Sequence, residues 1–251
     1  MRDHDIEAQP PRLQVFEGVV PRQLLAEMNA TVDACRQAWR PADGRRATDT
    51  AAQFAELLRR HDPFRLAERQ ACARSRQGAR QAGWAIERAQ PLYVLRCING
   101  GLRGQSHLRH YDSHILTLLI PLQQAAPSRE NGDLILYRHP REAVAAWKNV
   151  ITKVRLILMR SLPFVVRRAL TFHHLAHGRC ERVACVPGNV YVFNGFITLH
   201  ANLHVEAGER RSLIFHYYDP GLTAGLNHVP RAWRALRDRL LDAIQPVRSR
   251  D

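Results

Sequence analysis

The sequence has no apolar run of the ~18–20 residues needed to span a bilayer, so a helical integral membrane protein is not expected. Acidic residues are scarce: 23 Asp and Glu stand against 37 Lys and Arg, for a formal net charge of +14. There are five cysteines, Cys35, Cys72, Cys97, Cys180 and Cys185. An odd number at irregular spacings implies no disulfide framework and points to a reducing, cytoplasmic location. Met1-Arg2-Asp3-His4-Asp5 is polar with no apolar h-region behind it, so no secretory signal is expected. Internal repeats and low-complexity tracts are missing. So are zinc-finger, RNA-recognition and helix-turn-helix signatures, which counts against nucleic acid despite the charge.

The composition that remains, 45% hydrophobic and 24% charged, is that of a globular protein. Its 251 residues suit one domain, 1–251. The cationic excess favours a polyanionic partner: nucleic acid, an anionic membrane surface or a phosphorylated substrate. Arginine richness through base composition would give the same balance with no such partner.

Apolar spacing divides the chain. Residues 13–20 read as a strand or strand pair. After Pro21, Leu24, Leu25, Met28 and Val32 form one helical stripe, and residues 50–90 look helical and basic, so 1–90 is a mainly helical support. Strands are expected at 92–98, 115–122 and 134–137, separated by Asn99-Gly100-Gly101 and Asn131-Gly132-Asp133. A basic helical insert, 139–182, interrupts them. Strand texture returns at 183–186, 190–193, 198–205 and 212–218, and an amphipathic helix is expected over 230–245. Helices first, then a β-rich core in two parts, 92–137 and 183–218, suit an α+β chain built on a β-sandwich or jelly roll.

His110-Tyr111-Asp112 precedes the strand at 115–122. Residues two apart in an extended segment share a face, so this tripeptide can offer two ligands to one metal. His200 and His204 are both candidates for a third ligand, and strand parity does not separate them. Arg210 and Ser212 share a face and are expected to point into the sandwich; Arg211, of opposite parity, is expected to point to solvent. His107 and His114 read as loop or rim residues. A second group, His173, His174, His177, Cys180 and Cys185, has spacings of no known zinc module and reads as a solvated face of the insert.

Together these residues resemble the iron(II)/2-oxoglutarate oxygenase superfamily. The resemblance rests on Pro187-Gly188-Asn189 and the strand after it, on Leu199-His200, and on Gly208-Glu209-Arg210-Arg211-Ser212, which is similar to the family's Gly-x-Arg-x-Ser strand. Arg210 lies ten residues after His200, the family's common spacing, which favours His200 over His204. Asn131-Gly132-Asp133-Leu134 is similar to the family's Gly-Gly-acid-Leu segment. Cys97-Ile98-Asn99-Gly100-Gly101 is similar to its Tyr-x-x-Gly-Gly lead-in, with Cys97 in the place of the tyrosine. The resemblance covers about residues 92–218. It implies a double-stranded β-helix, iron held by His110, Asp112 and His200, and 2-oxoglutarate anchored by Arg210 with Ser212 and Asn202. It further implies O2 as oxidant, ascorbate as a stimulant, and hydroxylation of an unactivated C–H. Two histidines and a carboxylate leave three metal positions open, as non-haem iron oxygenases need. A guanidinium matches a carboxylate bidentately, as a lysine does not.

A narrower resemblance, to bacterial Kdo 3-hydroxylases of the lipopolysaccharide inner core, is carried by Arg109-His110-Tyr111-Asp112-Ser113-His114, by Gly195-Phe196-Ile197-Thr198-Leu199-His200 and by the basic insert. It implies an anionic, membrane-anchored saccharolipid as substrate, with His114, His204 and Arg109 as residues to meet it. Between His139 and Cys185, nine Lys and Arg stand against two acids, half of the chain's net charge. The apolar run at 154–166 within this stretch suits either a helix in a membrane interface or one packed on the sandwich. A peripheral position on the inner face of the inner membrane would follow from the first. Two other readings stand beside this one: an oxygenase of the same mechanism acting on nucleic acid, protein or a small metabolite, and a non-catalytic basic binding module.

Overall fold

The computed structural model describes residues 12–36, 44–84, 86, 91–101, 103–141, 159 and 161–220. The C-terminal helix expected at 230–245, and residues 154–158 and 160 of the insert's apolar run, lie outside these.

The described elements are β1 (Leu13–Phe16), α1 (Arg22–Arg36), α2 (Gly44–Arg59), α3 (Asp62–Gln81), β2 (Leu92–Asn99), β3 (Leu116–Gln123), β4 (Leu134–Tyr137), α4 (Phe164–Ala176), β5 (Cys180–Val183), β6 (Val190–Phe193), β7 (His200–Asn202) and β8 (Glu209–Tyr217). The strands form two sheets, one of five in the order β1-β6-β3-β8-β2 and one of three in the order β5-β4-β7. Every pairing is antiparallel. This is the expected mixture of helices and antiparallel sheets. Among the described residues the ladders stay in two separate sheets.

Strand alternation sorts the five-stranded sheet into two faces. On the outer face, Leu118, Ile120, Leu213 and Phe215 are fully buried against Met28, Val32, Phe54, Leu58 and Phe64 of the N-terminal helices. The expected stripe on α1 holds, with Leu24, Leu25, Met28 and Val32 all in this core. Each such side chain contributes roughly 1.5–3 kcal/mol when fully buried. Leu119, Tyr191 and Phe193 turn the other way and meet Leu134 and Leu136 of β4, so the two sheets face one another. Ile135, Tyr137 and Ala201 form the outer face of the small sheet, which α4 covers through Leu175.

Several strands differ from their expected bounds: β1 ends at Phe16 and β8 begins at Glu209. The strand placed at 183–186 is β5, Cys180–Val183, because its partner β4 pairs back only from Leu134 to Tyr137. The strand at 198–205 shortens to β7, followed by a lone bridge between Asn131 and Val205. The outer face also corrects Arg211. Parity does turn it away from the sandwich, but α1 lies there, not water. Arg211 is buried, donates to Asn29 O at 3.0 Å and to Glu209 Oε1 at 2.6 Å, and pairs with Asp33.

Candidate metal centre and its pocket

His110, Asp112 and His200 meet at one point. One ligand atom from each lies within 4.8 Å of the others. Asp112 Oδ1 is 3.5 Å from His200 Nε2 and 3.8 Å from His110 Nε2. His110 extends the small sheet by one bridge to His200, with reciprocal N–H to C=O bonds of 2.9 and 3.0 Å, so the backbone brings the two rings side by side. Each ring is aimed from behind. His110 Nδ1 donates to Leu108 O and His200 Nδ1 to Thr198 O, both at 3.0 Å. A carbonyl only accepts, so both Nδ1 atoms carry hydrogen and both Nε2 lone pairs turn toward Asp112, the tautomer a metal needs.

Asp112 is held as firmly. Its N–H donates to Gly195 O at 2.9 Å, and its Oδ2 accepts from Thr117 Oγ1 at 2.6 Å, with His216 Nδ1 3.8 Å away. Gly195 has no room for a side chain: a Cβ there would sit 2.5 Å from Thr117 Oγ1 and closer still to Asp112 Oδ2. Burial acts to raise the Asp112 pKa, but His200, His216 and His110 outweigh it and hold the carboxyl well below its usual range. Burial, then His200, pushes His110 down to about 3. Burial also acts to lower His200, but Asp112 outweighs it and raises that ring. Asp112 thus favours a proton on His200, and a cation bound there would compete with it.

The three residues line a cavity of about 270 Å3 between the sheets. Arg210, Ser212, Ile214 and His216, alternate residues of β8, line the same cavity. Arg210 is buried and donates from Nη1 to Asn202 Oδ1 at 2.9 Å; its Nε and Ser212 Oγ are buried without any hydrogen-bond partner. Gly132, at φ +82°, gives Arg210 its space, since a Cβ there would meet Arg210 Cδ at 2.8 Å. An unsatisfied buried polar group costs roughly 1–3 kcal/mol, so two beside a guanidinium mark a place for an anionic, multiply accepting ligand.

Other expected residues fall elsewhere. His204 does not line the cavity; it is buried with Nδ1 3.0 Å from Ser106 Oγ, and its ring is edge-on to Phe164 of α4. His114 stacks on His216 at 5.2 Å between ring centroids. Arg109 reaches over Tyr137 toward His174. His107 is no rim residue: it is fully buried, at φ 57°, with Nε2 2.8 Å from Glu130 Oε2. Glu130, also fully buried, takes Arg168 of α4 on its other oxygen, and so fastens the helix over this loop. Cys97 faces the N-terminal helices and cannot stand in for a tyrosine in the cavity. Of the second histidine and cysteine group, Cys180 and Cys185 are buried in separate cores, and among the described residues only His110, Asp112 and His200 converge as metal ligands.

Four residues that line or shape the site were given no role by the sequence. His216 could have been found, being in phase with Arg210 and Ser212 on β8. Thr117 and Gly195 needed the approach of Asp112, and Arg96 of β2 needed the pairing with β8 that sets it beside Ser212.

No family model matches the sequence, and no curated protein matches it. Solved structures are similar to it. A prolyl-4-hydroxylase from Pseudomonas putida is 12% identical, with 82% of this chain and 88% of that one covered and a TM-score of 0.42. A prolyl hydroxylase from Trichoplax adhaerens, in complex with a hypoxia inducible factor peptide, is 13% identical, with 85% and 86% covered and a TM-score of 0.46. A prolyl 4-hydroxylase from Phytophthora capsici is 14% identical, with 91% and 68% covered and a TM-score of 0.47.

Proposed function

We propose that this chain is an iron(II)- and 2-oxoglutarate-dependent oxygenase on a double-stranded β-helix. One observation carries the reading. The same small cavity is lined by a His–Asp–His set and by a buried guanidinium and hydroxyl, Arg210 and Ser212, each with a polar atom lacking a partner.

The donor set fits the metal: two neutral imidazoles and a carboxylate, all from one side. The rest of the cavity fits a carboxylate, for which Arg210 supplies the charge and fork and Ser212 a hydroxyl donor, with Asn202 holding the guanidinium in place. When bound, iron and 2-oxoglutarate supply the oxidising power for hydroxylating an unactivated C–H. The chain's own work is positional. Leu108 O and Thr198 O orient the two rings, Thr117 and Gly195 fix Asp112, and Leu119, Leu134, Phe193 and Ile214 keep the interior dry.

For the substrate we propose an anionic saccharolipid bearing Kdo. Support comes from the sequence strings around His110 and His200 and from the cationic excess. No helix among the described residues is long and apolar enough to cross a membrane. A peripheral contact with an anionic leaflet, through the basic insert, would bring such a substrate within reach.

The deciding experiment is anaerobic addition of Fe(II) and 2-oxoglutarate to metal-free protein. A weak visible charge-transfer band that His200→Ala and Arg210→Ala both abolish is expected. A folded protein with no band sinks the reading and favours a binding module. Incubation with Kdo-lipid A and O2, followed by mass spectrometry, then tests the substrate by the gain of one oxygen atom. Hydroxylation of a nucleic acid, protein or metabolite instead would replace the substrate and leave the mechanism standing.

A further inference from the structure

Two arginines line the cavity, and the oxygenase reading uses one. Arg96 lies on β2, the edge strand of the five-stranded sheet, in register with Ser212 of β8. Its guanidinium donates to Gln105 Oε1 at 3.1 Å, and it makes no ion pair with any described residue. Burial, then the neighbouring Arg210, lowers its pKa; the carboxylate that acts against this is Asp112, which belongs to the metal centre. A half-buried cation beside another cation is costly unless a ligand compensates it.

Charge balance sharpens this, and here the inference rests on the proposed function. A divalent metal on Asp112 leaves one positive charge. A dicarboxylate co-substrate brings two negative charges and Arg210 one positive. The centre is then neutral, and Arg96 remains as a net cation in a largely dry cavity. Arg210 is buried between Asn202, Gly132 and Ser212, deep in the sandwich. Arg96 is on the edge strand, partly buried, beside the exposed Gln105. The deep site therefore suits the co-substrate and the edge site suits what arrives afterwards.

We propose that Arg96, with Gln105, is an anion-recognition site for the substrate. It selects a molecule whose carboxylate or phosphate lies close to the carbon that reacts. Arg96 is a specificity residue and not a co-substrate ligand.

The test is anaerobic calorimetric titration of the Fe(II)-loaded protein with 2-oxoglutarate, then of the saturated complex with acetate and with methyl phosphate. Shifts of the visible band give a second readout. In Arg210→Gln, 2-oxoglutarate affinity is expected to fall about 100-fold or more; in Arg96→Gln it should change less than about threefold. The saturated wild type should bind one of the two anions, and which one binds identifies the group. Arg96→Gln should weaken that binding at least about tenfold, and Arg96→Lys by less. The inference is overturned if Arg96→Gln loses 2-oxoglutarate as Arg210→Gln does, if neither anion binds wild type at about 100 mM, or if anion binding survives in Arg96→Gln. Should wild type bind iron but not 2-oxoglutarate, the oxygenase reading falls by itself. Anion titration of the iron-loaded protein then still decides Arg96 by the same comparison of wild type with Arg96→Gln.

Discussion

Arg210 and Arg211 are adjacent on one strand and equally buried, each 4% exposed. Arg211 is saturated: Asp33, Glu209 and Asn29 occupy its guanidinium. Arg210 donates to Asn202, with the Cys185 thiol beside it, and its Nε has no partner. A buried charge whose valences are filled by its own chain belongs to the architecture; one left open belongs to a ligand. The contrast recurs in two carboxylates. Glu130 is closed by His107 and Arg168, whereas Asp112 faces two histidines whose lone pairs turn inward.

The sharpest way to break the comparison is to neutralise each arginine in turn. Arg210→Gln should lower 2-oxoglutarate affinity by about 100-fold or more and leave thermal stability unchanged or slightly raised, since an unpaired buried charge disappears. Arg211→Gln should do the reverse, leaving co-substrate affinity intact and costing roughly 1–3 kcal/mol. That cost stays below the value for a wholly buried pair because Asp33 is exposed. Co-substrate titration and thermal melts on both variants decide it. If both variants lose affinity equally, strand parity does not separate site from scaffold.

Next in size are the supports of Asp112. Gly195→Ala would drive a methyl group into Asp112 and Thr117, and metal affinity should fall by at least ~100-fold. Thr117→Val keeps the shape and removes one hydrogen bond to Oδ2, for an expected loss of about tenfold. Metal affinity measured by competition with a chelator ranks the two. Equal, small losses would mean that Asp112 finds its place without these neighbours.

This contrast also marks what could be read from the sequence. Which side chains converge was legible where local alternation carries it: His110 with Asp112, and Arg210 with Ser212. It was illegible where a second element decides the surroundings. Arg211 has the expected parity, but only α1 makes its side of the sheet an interior. His107 looked like a loop residue because Glu130, 23 positions away, and α4 supply its burial. The motif similarity at Cys97 set that residue in a tyrosine's place, whereas the pairing of β2 with β8 turns it toward the helices and turns Val94 and Arg96 inward. Strand ends at β5 and β7 were missed for the same reason, since pairing stops where the partner stops. A small test follows. Cys97→Ser should cost about 1 kcal/mol in a melt and leave 2-oxoglutarate binding unchanged; a change in that binding would return Cys97 to the cavity.

The closed carboxylate yields the last prediction. Burial acts to raise the Glu130 pKa, but Arg168 and His107 outweigh it and lower it. The folded state thus keeps Glu130 ionised below the pH at which an unfolded glutamate, with a pKa of about 4.3, takes up its proton. The stabilisation is complete above that unfolded value and is lost as pH falls through the lowered folded value. Glu130→Gln should therefore melt a few degrees below wild type at neutral pH, because Arg168 loses its counter-charge. The gap should narrow as the pH falls from about 4.3, where the unfolded glutamate takes up its proton, to the lowered value at which the folded one does. Melts from pH 3 to pH 7 measure the gap directly. A gap of constant width would show that Glu130 acts by shape and not by charge, and would confine the contrast between filled and open valences to the arginines.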